Sequence, residues 1–168
     1  MIVVSDTSPI ANLIVVGYVD LLPQLFGAVV IPEIVYQELL ANGENHIVTR
    51  VTMTADWLEV RSVREREQVM VLERDRKLDP GEANAIVLAL ELKATQLLID
   101  ERLGRAIAKR QGLRITGILG VLLAAKRQGL IPIVRPILDE LIGSANFRIG
   151  RQLYDETLAL AGEATTNG

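Results

Sequence analysis

The residues best placed to do chemistry in this chain are four carboxylates spread along it: Asp6, Glu38, Glu82 and Asp100. Asp6 comes just after the apolar run Ile2-Val3-Val4, and Asp100 directly follows Leu97-Leu98-Ile99. On a helix beginning near Pro32, the buried stripe would hold Ile34, Val35 and Leu39. Glu38 projects about 40° from Ile34, inside that stripe, while Glu33 and Gln37 take the solvent side. Glu82 opens a helix, residues 83–90, that is apolar nearly all round and must lie deep. A carboxylate in such surroundings is costly unless a cation or hydrogen-bond donors compensate it. The chain has no cysteine and one histidine, so a site built from these acids is all oxygen, which suits hard Mg²⁺ or Mn²⁺. With no nucleophilic side chain beside them, the implied chemistry is metal-activated water, with the ion also neutralising charge on a phosphodiester.

Each acid also has an ordinary explanation. Glu38 could pair with an arginine such as Arg105. Asp79-Pro80-Gly81-Glu82 reads as a capping box, an N-cap residue followed three positions later by glutamate, which is compatible with a site role for Glu82. Asp100 could cap the helix carrying Leu103, Ile107 and Ala108, and Glu101 looks like a first-turn acid facing the helix dipole with Arg105 as intrahelical partner. What favours a site is that all four fall at strand ends, at a helix start or on an inward helix face.

The elements that must position them are short apolar runs alternating with helical stretches. Strands are expected near Ile2 to Val4, Ala28 to Ile31, Trp57 to Val60, Gln96 to Ile99 and Leu113 to Ile115. This alternation gives the fold class α/β, with a central parallel sheet covered on both faces. The first and fourth runs carry no charge and are expected to be central, whereas Glu59 marks the third as an edge. Pro9, Pro32 and Pro80 mark helix starts. In open parallel sheets ligands bind beyond the carboxyl ends of the strands, where strand order reverses. If the first and fourth strands are neighbours, Asp6 and Asp100 arrive there together. After Ile131, Val134, Ile137, Leu138, Leu141 and Ile142 define one amphipathic helix, and Leu153 to Leu160 another. The expected organisation is a core domain over 1–130, a helical extension packed on it over 131–162, and a frayed tail over 163–168. The stretch Glu44 to Asp56 is the least defined, and His46 within it reads as a loop residue without a chemical role.

Composition narrows the function classes. A length of 168 residues, 49% of them apolar, fits one domain with a small extension. Absence of cysteine excludes disulfide scaffolds, thiolate zinc sites and thiol nucleophiles. A net charge of −3 argues against a DNA coat protein but not against a nuclease, which needs only a local basic strip. Basic clusters occur at Arg61-Arg64-Arg66, Arg74-Arg76-Lys77 and Arg102-Arg105-Lys109-Arg110, each also explicable as a solvated helix face. Aromatics are only 4%, so a base-stacking platform is not evident and substrate-binding residues stay unassigned. No signal peptide and no membrane-length apolar run is present, giving a soluble cytoplasmic protein as the expectation.

At this point the motifs resemble PIN-domain proteins along nearly the whole chain, most closely the prokaryotic subgroup related to VapC toxins. They are VVSDTSPIANL, VIPEIVYQEL, LDPGEANAIVLA, LLIDERLGRAIA and GLRITGILGVLLAAKRQGLI, followed by a helical tail. The resemblance implies a three-layer α/β/α fold and a metal-dependent endoribonuclease centre. Carried over by motif, Asp6, Glu38, Glu82 and Asp100 are its catalytic acids, with Asp6, Glu82 and Asp100 as metal ligands. Ser8, Glu101 and Thr116 are supporting residues: Ser8 is a polar neighbour of Asp6, Glu101 stands where relatives often have a second aspartate, and Thr116 also reads as a helix N-cap. The resemblance further implies an RNA substrate, a homodimer and an antitoxin chain as partner. The surface Leu21-Leu22-Leu25-Phe26 or the C-terminal helices could serve such partners, though core packing explains the same residues. The competing class is a catalytically silent PIN-fold binding or assembly protein. A phosphoacceptor receiver-like domain is set aside because Thr116-Gly117-Ile118-Leu119-Gly120 supplies no lysine after the last strand.

Overall fold

A computed structural model describes residues 1–163. Five parallel strands form its sheet: β1 (Val3–Ser5), β2 (Val29–Pro32), β3 (Leu58–Arg61), β4 (Gln96–Leu98) and β5 (Ile115–Thr116). Their order is β3-β2-β1-β4-β5, so the first and fourth strands are neighbours and strand order reverses between them. The uncharged runs do occupy the inner positions, and β3, with Glu59, lies at an edge. Around the sheet, in chain order, run α1 (Thr7–Val15), α2 (Leu21–Phe26), α3 (Glu33–Leu40), α4 (Ile47–Thr54), α5 (Arg66–Asp75), α6 (Pro80–Glu91), α7 (Arg102–Arg110), α8 (Ile118–Arg127), α9 (Arg135–Ser144) and α10 (Arg151–Leu160).

Alternation along the strands sends successive side chains to opposite faces and so builds two cores. Val3, Val29, Ile31 and Leu98 face a layer that includes α1, α2, α8, α9 and α10. Val4, Val30, Leu97 and Ile99 face α5, α6 and α7. The result is the three-layer α/β/α arrangement. Helix α6 is buried along almost its full length, from Gly81 to Ala89, as its unbroken apolar composition requires. Leu21 and Leu22 are core residues, with Leu25 and Phe26 packed against that core, so most of this patch is spent on folding.

Helix α4 was not expected. Its sequence, IVTRVTMT, is rich in β-branched residues that have weak helix propensity. Burial of Val48, Thr49 and Thr52 on one face overrides that preference. The Thr52 hydroxyl is satisfied by donating to the Val48 carbonyl at 2.7 Å. His46 is the N-cap, its Nδ1 accepting from the Val48 N–H at 3.2 Å. Pro32 also differs slightly from expectation: it ends β2 and precedes the first turn of α3.

Of the expected tail, residues 164–168 lie outside the described residues. Glu163 is held firmly. Its carboxylate accepts from Lys126 Nζ at 2.8 Å and from the backbone N–H groups of Val134 and Arg135 at 2.7 and 2.9 Å. It thereby satisfies donors at the start of α9 and ties that helix to α8. Glu163→Ala is expected to lower stability by about 2 kcal/mol, measurable by urea denaturation, because charge-assisted bonds to otherwise unpaired donors are lost. An unchanged midpoint would show that this link is superfluous.

Candidate active site

The four sequence-selected acids gather at the carboxyl edge of the sheet, around the crevice between β1 and β4. Asp6 extends the β1–β4 ladder, its N–H donating to the Leu98 carbonyl at 2.9 Å. It occupies the N-cap position of α1 with extended backbone (ψ 174°), yet its carboxylate makes no capping bond to that helix. The side chain is 5% exposed and is directed instead toward the start of α6. A Cβ on Gly81 would stand 3.2 Å from Asp6 Oδ1 and would overlap Glu38 Oε1. Asp6, Glu38 and the first turn of α6 therefore meet at a point where a Cβ fits only if Glu38 moves aside.

Glu38 lies on α3 as the helical spacing requires, half-buried between buried Val35 and Leu39, with Glu33 and Gln37 exposed. It has no arginine partner. The ion pairs among the described residues are Arg61–Glu59, Arg74–Asp75, Lys126–Glu163 and Arg151–Asp155, none of which involves a candidate acid. Arg105 directs Nη1 to the Ile99 carbonyl at 2.8 Å.

Glu82 completes the capping box, its N–H donating to Asp79 Oδ1 at 2.8 Å while Oε2 accepts from the Asp79 N–H at 3.4 Å. The same glutamate is only 5% exposed, and its carboxyl carbon lies close to Gly104 of α7. Capping and placement in the crevice thus coexist. Asp100 does cap a helix, but not the one that follows it. Oδ1 accepts from the Ile118 N–H at 2.9 Å, at the start of α8, whereas Glu101 takes the N-cap position of α7 without a side-chain bond. Asp100 Oδ2 and Glu38 Oε1 are buried with no hydrogen-bond partner among the described residues.

Burial and mutual repulsion make these acids reluctant to ionise. Burial pushes Asp6 up to about 7, helped by the charges of Asp79, Glu38 and Asp100 and opposed by the Thr7 N–H. Glu82 is pushed to about 8 by burial and by Asp79 and Asp6, with a smaller contribution from Glu101. Glu38 is raised by burial and by Asp79. Asp100 is raised by burial, although the Ile118 N–H and the Arg105 guanidinium pull it down.

The supporting residues divide. Ser8 is the second residue of α1 and half-buried, so it is not a cap. Its neighbour Thr7, passed over in the sequence, is the one facing Glu38, although the approach falls short of a well-formed hydrogen bond and leaves Thr7 Oγ1 unpaired. Glu101 is exposed but close enough to raise both Glu82 and Asp100. Thr116 is occupied in the sheet, its hydroxyl donating to Gln96 Oε1 at 2.7 Å, while Gly117 holds the N-cap position of α8. Sequence reasoning also missed Gly81, whose only signal was a glycine in a first helical turn where alanine is the better helix former.

Over residues 2–163 the chain matches the family model DUF3368, described as a PIN domain. The chain is a PIN-domain protein. PIN domains are in general nucleases, so this PIN domain has the fold of hydrolases that act on nucleic-acid backbones, with its buried acids at the edge of the sheet where ligands bind. No curated protein matches it. No helix among the described residues is long and apolar enough to cross a membrane.

The donor chemistry of the acid set suits a divalent cation. Buried carboxylate oxygens without partners, no ion pair to the four acids among the described residues, and pKa values raised by burial and by neighbouring acids are what a hard cation would relieve. Among the described residues, no three such side chains are grouped tightly enough to hold an ion by themselves. Mg²⁺ does not require three, since it keeps several waters and takes one or two carboxylates together with substrate phosphate oxygens. The residues fit the group.

Proposed function

We propose that this PIN domain is a divalent-metal-dependent endoribonuclease, with Asp6, Glu38, Glu82 and Asp100 as its acidic centre. The observation that carries the reading is two buried oxygens without hydrogen-bond partners among the described residues, Glu38 Oε1 and Asp100 Oδ2, beside an Asp6 whose carboxylate does not cap its own helix. Asp6, Glu82 and Asp100 would hold Mg²⁺ or Mn²⁺, with Glu38 completing the acidic wall. When bound, the ion lowers the pKa of a water and neutralises charge on the scissile phosphodiester. The chain's own part is to fix the acids on rigid elements: Asp6 by the β1–β4 ladder, Glu82 by its capping box and Asp100 by the Ile118 N–H. Burial of Asp6 and Glu82 limits water access and favours their protonated forms near neutral pH, so they would release protons on holding a cation. Glu101 and Thr7 stand beside the acids and would orient water. RNA as substrate, the toxin role in a toxin–antitoxin pair, a homodimer and a cytoplasmic setting rest on the resemblance to the VapC-related subgroup.

A second reading, a silent PIN-fold binding or assembly protein, is favoured by the absence of a tight three-acid group among the described residues. Cleavage of a defined single-stranded RNA with Mn²⁺ separates the two. The nuclease reading expects Asp6→Asn and Asp100→Asn each to lower kcat/KM by on the order of 10³-fold, the equivalent of several kcal/mol of transition-state stabilisation. Equal rates for wild type and both variants would refute it, as would no cleavage by any of them.

A further inference from the structure

Beyond the acids, a groove of about 450 Å³ runs from Asp100 between α8 and the segment that leads into α10. Its size falls within the ~300–1,000 Å³ common for small-ligand sites. Leu119 and Leu123 of α8 line one side, and Phe147, Ile149 and Leu153 the other. Two cations border it. Arg105 is anchored through Nη1 to the Ile99 carbonyl beside Asp100. Arg148 is exposed and has no carboxylate partner among the described residues.

The far wall of this groove belongs to the C-terminal segment, not to the sheet or the helices that carry the acids. Leu153 stays 46% exposed although it lines the groove beside Leu119 and Leu123. In a chain of net charge −3, two arginines flank a single acid here, and that acid is one of the four at the site. An occupant must therefore present negative charge to the arginines, an apolar face to the leucines, and a reacting group at Asp100. A nucleotide unit of a single strand has these properties, with phosphate for the cations and base or sugar for the apolar walls.

We infer that the C-terminal segment builds a single-stranded RNA subsite leading to Asp100, with Arg148 binding backbone phosphate and Leu153 forming part of the wall against which a base lies. The inference rests on the nuclease reading and adds the residues that hold the strand. It also gives α9 and α10 a function beyond packing, since the 145–150 connection between them carries Arg148 and Phe147 to the groove.

The test is binding of a fluorescein-labelled oligouridylate of about ten nucleotides, a length suited to such tracks, by fluorescence anisotropy on the full chain in EDTA. Cleavage with Mn²⁺ is measured separately on the same proteins. Arg148→Ala is expected to weaken binding about tenfold and to reduce the salt slope by about 0.7, the value for one lost single-strand phosphate contact. Leu153→Asp should weaken binding similarly. Ile142→Asp, at a comparably exposed position on α9 outside the groove, should bind as wild type. In cleavage, Arg148→Ala should raise KM with little change in kcat. If wild type cleaves RNA and both groove variants bind and cleave like it, the inference fails while the nuclease reading stands. If wild type neither binds nor cleaves, both fall. If Leu153→Asp alters only the sedimentation coefficient, the groove is a contact between copies of this chain and the inference is overturned.

Discussion

Replacing Asp6 with asparagine is expected to raise the melting temperature of the metal-free protein by about 5–10 °C at pH 8, with the gain shrinking to near zero at pH 4. Asp6 ionises at about 7 in the folded chain, against 3.8 for an unperturbed aspartate, because burial and the charges of Asp79, Glu38 and Asp100 oppose its charged form. Between those two values the folded state holds a proton that the unfolded state has released. Stability therefore falls as pH rises through this window, and the penalty is complete above pH 7. At about 1.36 kcal/mol per pKa unit, a rise of this size corresponds to roughly 2–4 kcal/mol once relaxation around the site is allowed for, hence the melting shift in a chain of this length. Glu82, pushed to about 8, extends the same trend upward in the wild type. The asparagine cannot ionise and keeps nearly the same size and shape. Melting curves at pH 4, 6 and 8 in EDTA check this; equal melting temperatures for the two proteins at pH 8 would contradict it. Added Mn²⁺ should recover wild-type stability at pH 8 by mass action but stabilise the variant less.

Gly81→Ala is expected to cost about 10²-fold or more in RNA cleavage while leaving the melting temperature within a few degrees. Helix propensity alone says the opposite, since alanine is better than glycine in a helix by about 1 kcal/mol. Gly81 is buried in the first turn of α6, and its α-carbon faces the acids. An added methyl would overlap Glu38 Oε1 and press on Asp6 Oδ1 at 3.2 Å. Glu38 is long and half-buried, so it can swing aside and spare the fold, but the swing removes one acid from the crevice. Displacements of about 1 Å at such centres can cost 10²-fold. Measuring kcat/KM in Mn²⁺ beside the melting temperature separates the two effects. Retention of wild-type activity would show that Glu38 is not needed where it stands.

Much of the architecture could be read from local patterns because those patterns agree with the tertiary environment. Uncharged runs such as Val3-Val4 and Leu97-Leu98 became inner strands, and Glu59 marked an edge, because strands buried on both faces tolerate no charge. Glu38 could be singled out because one polar residue in an apolar helical stripe breaks a periodicity. Helix α4 could not, since its β-branched residues speak for a strand and only burial of Val48, Thr49 and Thr52 makes it helical. Pairings distant in sequence were equally hidden. The carboxylate of Asp100 caps α8 rather than the helix beginning beside it, and Glu163 closes the start of α9 from beyond α10. Residue order says nothing about such contacts. Thr7 rather than Ser8 faces Glu38 because α1 begins two residues earlier than Pro9 suggests.

The stability penalty and the proposed chemistry have the same source. Acids buried together, with Arg105 beside Asp100 as their counter-charge, weaken the metal-free fold, and a cation that relieves them gains affinity from that strain. Calorimetric titration of Mn²⁺ into the metal-free protein at pH 7, in two buffers of different ionisation enthalpy, measures this coupling most directly. The account predicts saturable binding with net proton release, weakened in both Asp6→Asn and Asp100→Asn. Absence of binding to the folded wild type, or binding unaltered in both variants, would contradict it.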